Sequence, residues 1–445
     1  MRNDRAVTLC VLLLAGLLSA RSSADDWPQW RGPTRDGVWR ETGIRSTFGS
    51  DSLPRRWTAP ISSGYSGPTV ADGRVFVSDY VKEPRESERI HCFAWRTGDK
   101  LWSHTYDCQY RDFKYQAGPR TSVLIDKGPS RTARSSAGPA RAFSLGATGH
   151  LVCLDAATGT LVWQKDLNTE NEIRMPDWGI SASPIIEDDL LIAQIGGKDA
   201  CLVALDKTNG EERWKSLPDE ASYSAPIVID QAQKRMLVCW TAERLVGLEP
   251  RTGTLLWEFP FRYEKWPIAI ADPVRHGDFL LLSESHKGSL LLRLLADRPT
   301  VEKVWHQRGE GNRSTEALHC LQSTPLVSGA HLYGIDNQGV LRCLDLETGR
   351  QVWQDETAVP RSRWATGHLV KNGDLTWIFN ERGELLTGRL SPTGFTELSR
   401  AKLIEPTTMQ LPRRGGVTWS HPAFAYRHVF ARNDRELVCA DLSAE

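Results

Sequence analysis

A short pattern of apolar and polar positions recurs along the chain. In its clearest copy, Leu151–Trp163, an apolar run leads to a polar turn at Thr158-Gly159, and a second short run ends in tryptophan. The turn needs a residue that accepts a positive φ, which glycine does without steric cost, and the flanking runs suit a pleated sheet. Each copy therefore predicts a β-hairpin whose tryptophan is buried against a neighbouring sheet.

The spacing between the turn glycine and the tryptophan is kept in the other copies. It recurs at Gly98, Gly253 and Gly349, and Asn209-Gly210 begins a near copy. A hairpin that recurs and must bury a large aromatic side chain predicts a stacked or radial array of sheets. The tryptophans predicted to dock these hairpins are Trp57, Trp102, Trp163, Trp214, Trp257, Trp305 and Trp353, with Leu398 aligned in a weaker eighth copy.

A second phrase precedes most hairpins: a small residue, a proline, an apolar pair, a tight turn and a strand. The copy at Gly367–Val370 lacks the proline, and the copy at Gly118–Leu145 is stretched by an insert. Ser66–Val70 leads to the turn Asp72-Gly73, and Ser183–Ile186 leads over Asp188-Asp189. Proline is tolerated where a strand begins, because it removes a donor only at the start of the ladder. Each repeat then has four strands in roughly 50 residues, the size of a propeller blade.

The two ends of the repeat region complement each other. Arg55–Pro60 reads as a fourth strand without the first three, and Glu436–Asp441 reads as a third strand without a fourth. Pairing them closes a ring and leaves no open radial edge. The sequence therefore predicts an all-β fold, an eight-bladed β-propeller of four-stranded antiparallel blades. Seven blades is the alternative, because Leu290–Trp305 and Leu385–Leu398 lack the clean turn.

The first residues have the composition of a secretion signal. Arg2 and Arg5 precede the apolar run Ala6–Ala20, which is short for a membrane span, and small residues at 22–24 precede Asp25. A retained N-terminal anchor is the alternative interpretation. We expect a periplasmic or extracellular mature chain without a transmembrane segment. The predicted organisation is a signal peptide at 1–24, an extension packed on the propeller at 25–50, and a single propeller domain at 51–445.

Charge and cysteine content narrow the possible partners and cross-links. The 55 basic and 55 acidic residues give no electrostatic reason to expect nucleic acid as a partner. In a secreted chain the eight cysteines after the signal invite disulfides. However, Cys92, Cys153 and Cys343 occupy a slot that Ala204 and Gly247 fill in other copies. A slot for small side chains predicts buried free thiols.

These repeats carry a family resemblance. Segments such as V-C-L-D-A-A-T-G-T-L-V-W and R-C-L-D-L-E-T-G-R-Q-V-W, and the opening W-P-Q-W-R-G-P-T-R-D-G-V, resemble the PQQ-like propellers of the quinoprotein alcohol dehydrogenase superfamily. The secreted members of planctomycete-type bacteria look most similar, and the outer-membrane assembly lipoprotein BamB is a more distant relative with the same eight-bladed ring. The resemblance is specific for the fold and weak for activity.

The resemblance also implies what an enzyme of this superfamily contains. Its alcohol dehydrogenases hold a quinone over Ca²⁺ and use a vicinal Cys-Cys disulfide, Glu and Asn metal ligands and a catalytic Asp. This sequence has no adjacent cysteines, and the metal-ligand segments are not found. We therefore predict no catalytic residue, no metal ligand and no cofactor, with PQQ as the alternative.

Other candidate chemistry has simpler interpretations. His91-Cys92 and His319-Cys320 include metal-ligand types but read as neighbours that alternate across a strand. Asp188-Asp189 and 336–339 suggest Ca²⁺ ligands but fall where hairpin turns are needed. The motifs H-E-x-x-H and G-x-S-x-G do not occur, and nothing in the sequence marks a Ser/His/Asp arrangement.

With no catalytic or metal-binding motif in the sequence, a binding function is the remaining interpretation. In a propeller, the loops that lead into the innermost strands ring one mouth of the central channel. Aromatic and arginine side chains there have the composition of a recognition surface, although they also suit caps on the blade cores. The candidate binding residues are Tyr65, Arg120, Trp178, Tyr223, Gln322, Trp364 and Trp419.

The function expected from these observations is a non-enzymatic scaffold of the cell envelope. It is expected to bind an envelope protein or a small ligand and to be a monomer. A PQQ-dependent oxidoreductase of alcohols or sugars is the alternative. The basic insert Lys127–Arg141 suggests contact with anionic envelope polymers, and a solvated loop is the simpler interpretation.

Overall fold

The computed structural model describes residues 25–128, 139–263, 266, 268–310, 316–412 and 415–444. The predicted signal peptide and most of the basic insert lie outside the described residues. The described chain folds into β-strands and a single five-residue helix, α1 (Leu167–Asn171). None of its helices is long and apolar enough to cross a bilayer.

The strands form eight antiparallel four-stranded sheets, as the sequence predicts. After β1 (Arg55–Pro60), blades one and two contain β2 (Thr69–Ala71), β3 (Arg74–Val81), β4 (Ser87–Ala94), β5 (Lys100–Asp107), β6 (Leu124–Asp126), β7 (Arg141–Leu145), β8 (His150–Asp155) and β9 (Leu161–Asp166). Blades three and four contain β10 (Ile185–Glu187), β11 (Leu190–Gly197), β12 (Ala200–Asp206), β13 (Glu212–Ser216), β14 (Ile227–Gln231), β15 (Lys234–Trp240), β16 (Arg244–Leu248) and β17 (Leu255–Pro260).

The second half of the ring repeats this order. Blades five and six contain β18 (Val274–His276), β19 (Phe279–Glu284), β20 (Gly288–Leu294), β21 (Val301–Gln307), β22 (Leu326–Ser328), β23 (His331–Ile335), β24 (Leu341–Asp345) and β25 (Gln351–Asp355). Blades seven and eight contain β26 (Gly367–Asn372), β27 (Leu375–Asn380), β28 (Glu384–Ser391), β29 (Gly394–Lys402), β30 (Ala423–Ala425), β31 (His428–Arg432) and β32 (Glu436–Asp441). The first strand of each blade is innermost, and β2 contacts both β6 and β30.

The ring closes through its two ends. Strand β1 pairs antiparallel with β32, with Trp57 opposite Cys439 and Pro60 opposite Glu436. The predicted closure is confirmed, and eight sheets rather than seven make up the ring. Strand β1 thus supplies the fourth, outer strand of blade eight, and all eight sheets have four strands.

The blades dock through tryptophan and glycine. The Trp57 indole nitrogen donates to the Trp95 carbonyl at 2.7 Å, and its ring lies against the turn residue Gly98 of the next blade. Trp102 does the same on Gly159, where a Cβ would lie 2.6 Å from the indole. Indole hydrogen bonds to a carbonyl of the following blade also come from Trp163, Trp214, Trp305 and Trp353.

The small-residue slot lies opposite the tryptophan on the neighbouring strand. Cys92 pairs with Trp102, and Gly247 pairs with Trp257. A Cβ at Gly247 would lie 2.3 Å from the Trp257 ring, so a larger side chain has no room there. The eight described cysteines are all free and buried, which confirms the prediction of buried thiols.

Two junctions depart from the repeat. The Trp257 indole bonds Gln231 Oε1 of its own blade at 3.0 Å, because blade five offers no turn glycine between β20 and β21. In blade seven the expected alignment of Leu398 is wrong by one position. Thr387 pairs with Ser399, which takes the tryptophan place, and Leu398 falls at the bulge. Ser399 Oγ instead accepts the Phe48 N–H at 2.8 Å, so the extension covers this junction.

The extension lies inside the ring. Trp27 exchanges backbone hydrogen bonds with Val70 of β2 at 2.8 and 2.9 Å, and the Ile125 N–H of β6 donates to Pro28 O at 2.8 Å. Further along, the Trp39 N–H donates to Lys371 O of β26 at 2.7 Å. The same segment also bonds Asp272, just before β18 of blade five, and Ser183, just before β10 of blade three. Residues 25–41, called here the plug, therefore cross the channel.

Candidate functional site

The mouth is the face formed by the loops that lead into the innermost strand of each blade. The seven candidate residues lie in these loops, and all are half-buried except Tyr223, which is buried. The Trp178 and Tyr223 rings meet edge to face with centroids 5.4 Å apart. Gln322 Oε1 accepts the Thr366 hydroxyl at 2.9 Å. The rings of Trp364 and Trp419 contact other residues of the mouth, so the candidates are not one continuous cluster.

The loop 108–123 before β6 dominates the mouth, and its base is fixed by a buried carboxylate. Glu88 accepts hydrogen bonds from the hydroxyls of Tyr106 and Tyr110 and from the Ala147 N–H. The Tyr110 ring also stacks on Tyr80, with centroids 4.3 Å apart. Burial, then the nearby Glu88 charge, raises the pKa of both hydroxyls well above its usual range, so both remain donors.

The tip of this loop reaches across the mouth. The Lys114 ammonium bonds Asp177 Oδ2 at 2.8 Å in blade three and lies 5.0 Å from the ring centroid of Trp266 in blade five. The Tyr115 ring lies 6.3 Å from that of Trp419 in blade eight. One loop of blade two therefore contacts three other blades and sets the shape of the mouth.

Arg120 has a structural position in this loop. Its guanidinium lies 4.9 Å from the Tyr65 ring centroid and 5.0 Å from that of Phe113, and it donates to the Gly118 and Tyr115 carbonyls. Burial raises the pKa of Tyr65, so its hydroxyl stays protonated and donates to Gln410 O. These ring contacts and carbonyl hydrogen bonds occupy much of the guanidinium, so few of its N–H donors are left for a ligand.

Trp266 is a mouth residue that is not among the seven candidates from the sequence. It is 48% exposed, whereas the docking tryptophans are buried or half-buried. A tryptophan this exposed leaves a large apolar surface in water. The signal in the sequence was a tryptophan that fits neither the hairpin nor the proline phrase. Its neighbours Lys114 and Trp178 complete an aromatic and cationic group on the mouth.

Beneath the mouth the plug carries a buried charge cluster. The Trp30 indole donates to Asp272, and the Arg31 guanidinium lies 3.7 Å from the same carboxylate. Arg35 donates to the carbonyls of Ser183 and Pro184 at 3.0 and 2.8 Å. Burial raises the pKa of Asp272 and lowers that of Arg35 to about 10. The cluster fastens the plug to the ring.

Two neutral histidines flank this cluster. His421 Nε2 and Ser122 Oγ lie 2.6 Å apart, and the Trp30 ring meets His421 edge to face at 4.5 Å. His368 Nε2 lies 2.9 Å from Trp419 O, so its ring donates there. Burial lowers the pKa of His368 to about 4 and that of His421 to about 3. Both rings are uncharged at neutral pH.

The groups that the quinoprotein resemblance implies do not fit this channel. The cavity beside the plug, lined by Trp30, Arg31 and His368 among others, measures about 30 Å³, which suits a water molecule rather than an organic cofactor. Across the described ranges, no three His, Cys, Asp or Glu side chains converge as ligands for a metal ion. The free cysteines of this part of the chain form no vicinal disulfide.

A Ser–His–Asp line crosses blade one, which sequence reasoning missed because its members lie on three different strands. Ser103 Oγ lies 2.9 Å from His91 Nδ1, and His91 Nε2 lies 3.1 Å from Asp79 Oδ2. Burial opposes ionisation of Asp79, but hydrogen bonds from His91 and Arg89 lower its pKa overall. Arg89 compensates the carboxylate, and Ser103 lies on the outer strand away from the mouth. This hydrogen-bonded chain of three side chains therefore contributes to packing within blade one.

The comparisons with known proteins place this geometry in a family. The family model described as "Outer membrane protein assembly factor BamB" matches residues 86–355, more than half of the chain. The chain belongs to this family. The BamB of Shewanella oneidensis is 24% identical over 203 residues, covering 45% of this chain and 50% of that protein. The match thus spans about half the length of such curated relatives.

Solved structures extend the likeness of the BamB-type fold to the whole ring. The crystal structure of BamB from Moraxella catarrhalis has a TM-score of 0.57 at 14% identity and covers 88% of this chain and 98% of that one. Quinohemoprotein alcohol dehydrogenase from Comamonas testosteroni has a TM-score of 0.63 at 12% identity, covering 96% and 82%. At these identities the likeness shows the fold alone.

Proposed function

We propose that this BamB-family propeller is an exported, non-enzymatic scaffold that binds another protein of the cell envelope through its mouth. The curated relatives are named outer membrane protein assembly factors, and that name supports a role in protein binding. The sequence of residues 1–24 supports export to the periplasm or the extracellular space. The protein acts as a monomer in this proposal.

One observation carries the choice of the mouth. Trp266 exposes 48% of its surface beside Lys114 and Trp178. Tryptophan is enriched where proteins bind one another, and apolar surface in water favours a partner that covers it. The plug fills the channel below, so a partner contacts the rim of the mouth rather than threading through the ring.

Site-specific photocrosslinking tests this proposal. A photoreactive phenylalanine analogue replaces Trp266, and in a matched variant it replaces Leu101, which is 49% exposed on the outer strand of blade one. Irradiation of cells is expected to give a discrete crosslinked envelope protein from position 266 and none from position 101. The crosslink is expected to fall strongly in a Trp178→Ala background.

Two outcomes contradict the proposal. Equal crosslinking from positions 266 and 101 places the interaction elsewhere or makes it nonspecific. Absence of any crosslink from position 266, together with a discrete crosslink from position 101, moves the partner surface away from the mouth. Circular dichroism of each variant verifies that the ring is intact before either conclusion is drawn.

A further inference from the structure

Glu41 is a buried carboxylate where the plug leaves the channel. It is 4% exposed, and its oxygens accept the Trp39 indole N–H at 2.9 Å, the Arg427 backbone N–H at 2.8 Å and the Asp25 backbone N–H at 3.1 Å. Among the described residues, no lysine, arginine or histidine side chain forms an ion pair with it. A buried carboxylate is costly to desolvate, and its strongest compensation is a cation.

One of the two backbone N–H groups that donate to Glu41 belongs to Asp25, the residue that follows the predicted cleavage site. The two residues that follow Asp25 bond the ring. The Tyr426 hydroxyl donates to Asp26 Oδ1 at 2.5 Å, and Trp27 pairs with Val70 on β2. Asp25 is also the residue with which the mature chain is expected to start, so its backbone nitrogen is the one that cleavage of the signal would free.

We propose that cleavage between Ala24 and Asp25 creates an α-ammonium group that forms an ion pair with Glu41. In this step a leader peptidase hydrolyses the peptide bond with water. The Ala24 carbonyl carbon gains the hydroxyl of water and the Asp25 nitrogen gains the remaining hydrogen. The new carboxylic acid then loses its proton and the new amine takes up a proton, which leaves a carboxylate on the leaving peptide and an ammonium on Asp25. The neutral N–H donor at Asp25 becomes an ammonium with three donors, and its hydrogen bond to Glu41 becomes charge-assisted.

The position of this pair gives it a role in closing the plug. Asp25 and Glu41 are 16 residues apart and lie where the plug enters and leaves the channel. Glu41 also holds Trp39 and the β30–β31 turn at Arg427, so the pair ties both ends of the plug to blade eight. Removal of the signal peptide and seating of the plug are therefore coupled through one contact.

The first test locates the mature terminus. The full chain is exported from a bacterial host with its own first 24 residues, and the purified protein is analysed by N-terminal sequencing and intact mass. The proposal expects a chain that begins at Asp25 with an unmodified amine. A mature chain that begins at any other residue overturns it.

The second test separates the charge of the terminus from general packing. Protein that begins at Asp25 is compared with protein that carries Gly-Ser before Asp25, each in the wild type and in Glu41→Gln. The added Gly-Ser dipeptide is expected to lower the Tm by about 1–3 °C in the wild type and by much less in Glu41→Gln.

The exposed residue Glu405 supplies the control, since its side chain is 72% accessible. Glu405→Gln is expected to leave the effect of the Gly-Ser extension unchanged. An extension that lowers the Tm equally in the wild type and in Glu41→Gln acts through sterics alone and overturns the ion pair. An extension without effect in the wild type overturns it as well.

Discussion

The indole of Trp102 in blade one lies directly on Gly159 in the turn of blade two. A Cβ at Gly159 would lie 2.6 Å from the ring, and the Trp102 nitrogen donates to Ala156 O at 3.2 Å in the same turn. Gly159 also has a φ of +74°. The recurrent glycine thus serves two purposes, a left-handed turn within its own blade and a flat seat for the tryptophan of the blade before it.

Replacing Gly159 with alanine is expected to destabilise the protein by about 2–5 kcal/mol, because left-handed strain adds to a steric conflict with the indole. Gly373 is the matched control, with a φ of +57° and no atom within 4 Å of the place that a methyl group would take. Gly373→Ala should cost only the backbone strain, about 1–2 kcal/mol. Urea unfolding of both variants measures the difference, and equal losses would show that tryptophan docking contributes nothing at this turn.

The anchor of the mouth loop gives a second prediction. Tyr110→Phe removes one of the two hydroxyl donors to the buried Glu88 carboxylate, which leaves that acceptor under-satisfied. The expected loss is about 1–3 kcal/mol, with faster hydrogen exchange confined to residues 108–117. Tyr333→Phe on blade six serves as a control for removal of a tyrosine hydroxyl away from this loop. Unchanged exchange in 108–117 after Tyr110→Phe would contradict the anchoring role.

The buried histidines predict a pH dependence of stability. The pKa of His368 is lowered from 6.5 to about 4 in the folded protein, and that of His421 to about 3. The unfolded chain therefore binds protons at a higher pH than the folded chain does. The contribution to stability is fully present above pH 6.5 and is lost as the pH falls from 6.5 towards 4.

Chemical denaturation at several pH values between 7 and 4 measures this effect. His421→Gln keeps a polar side chain near Ser122 and is expected to flatten the profile, although it lowers stability at pH 7. His331→Gln on strand β23 is the comparison, because this histidine is only half-buried. A profile for His421→Gln as steep as that of the wild type would show that His421 does not cause the loss.

Local physics made the fold predictable from the sequence. The Thr-Gly turn and its tryptophan identify one pair of strands in each repeat, and the proline phrase before it identifies the other. Closure of the ring followed because the first strand, at Trp57, and the last strand, at Glu436–Asp441, each lacked a partner within its own repeat. Leu398 was misaligned by one residue because blade seven has no tryptophan to fix the register at its bulge. Phe48, whose N–H donates to Ser399 at this junction, comes from a segment without any repeat pattern, so its place depends on tertiary contacts alone.

The site was less accessible to sequence reasoning. Topology placed all seven candidate residues in the loops that form the mouth, but which of them meet depends on the path of the loop 108–123. That loop brings Lys114 to Trp266, two residues that no sequence pattern connects. Likewise, the composition of the extension indicated contact with the body of the protein, but entry of Trp30 and Arg31 into the channel depends on Asp272 in a distant blade.

The last prediction concerns the quinone. Purified protein mixed with PQQ and Ca²⁺ is expected to show no dye-linked oxidation of alcohols or sugars and to retain no quinone absorbance after gel filtration. The reason is steric and chemical. Trp27 and Trp39 of the plug are buried, the cavity lined by Trp27, Trp30 and Arg31 measures about 30 Å³, and the described residues supply no metal-ligand cluster. Free PQQ passed through the same column is the control. Co-elution of quinone with the protein, together with turnover, would support the oxidoreductase and contradict the scaffold.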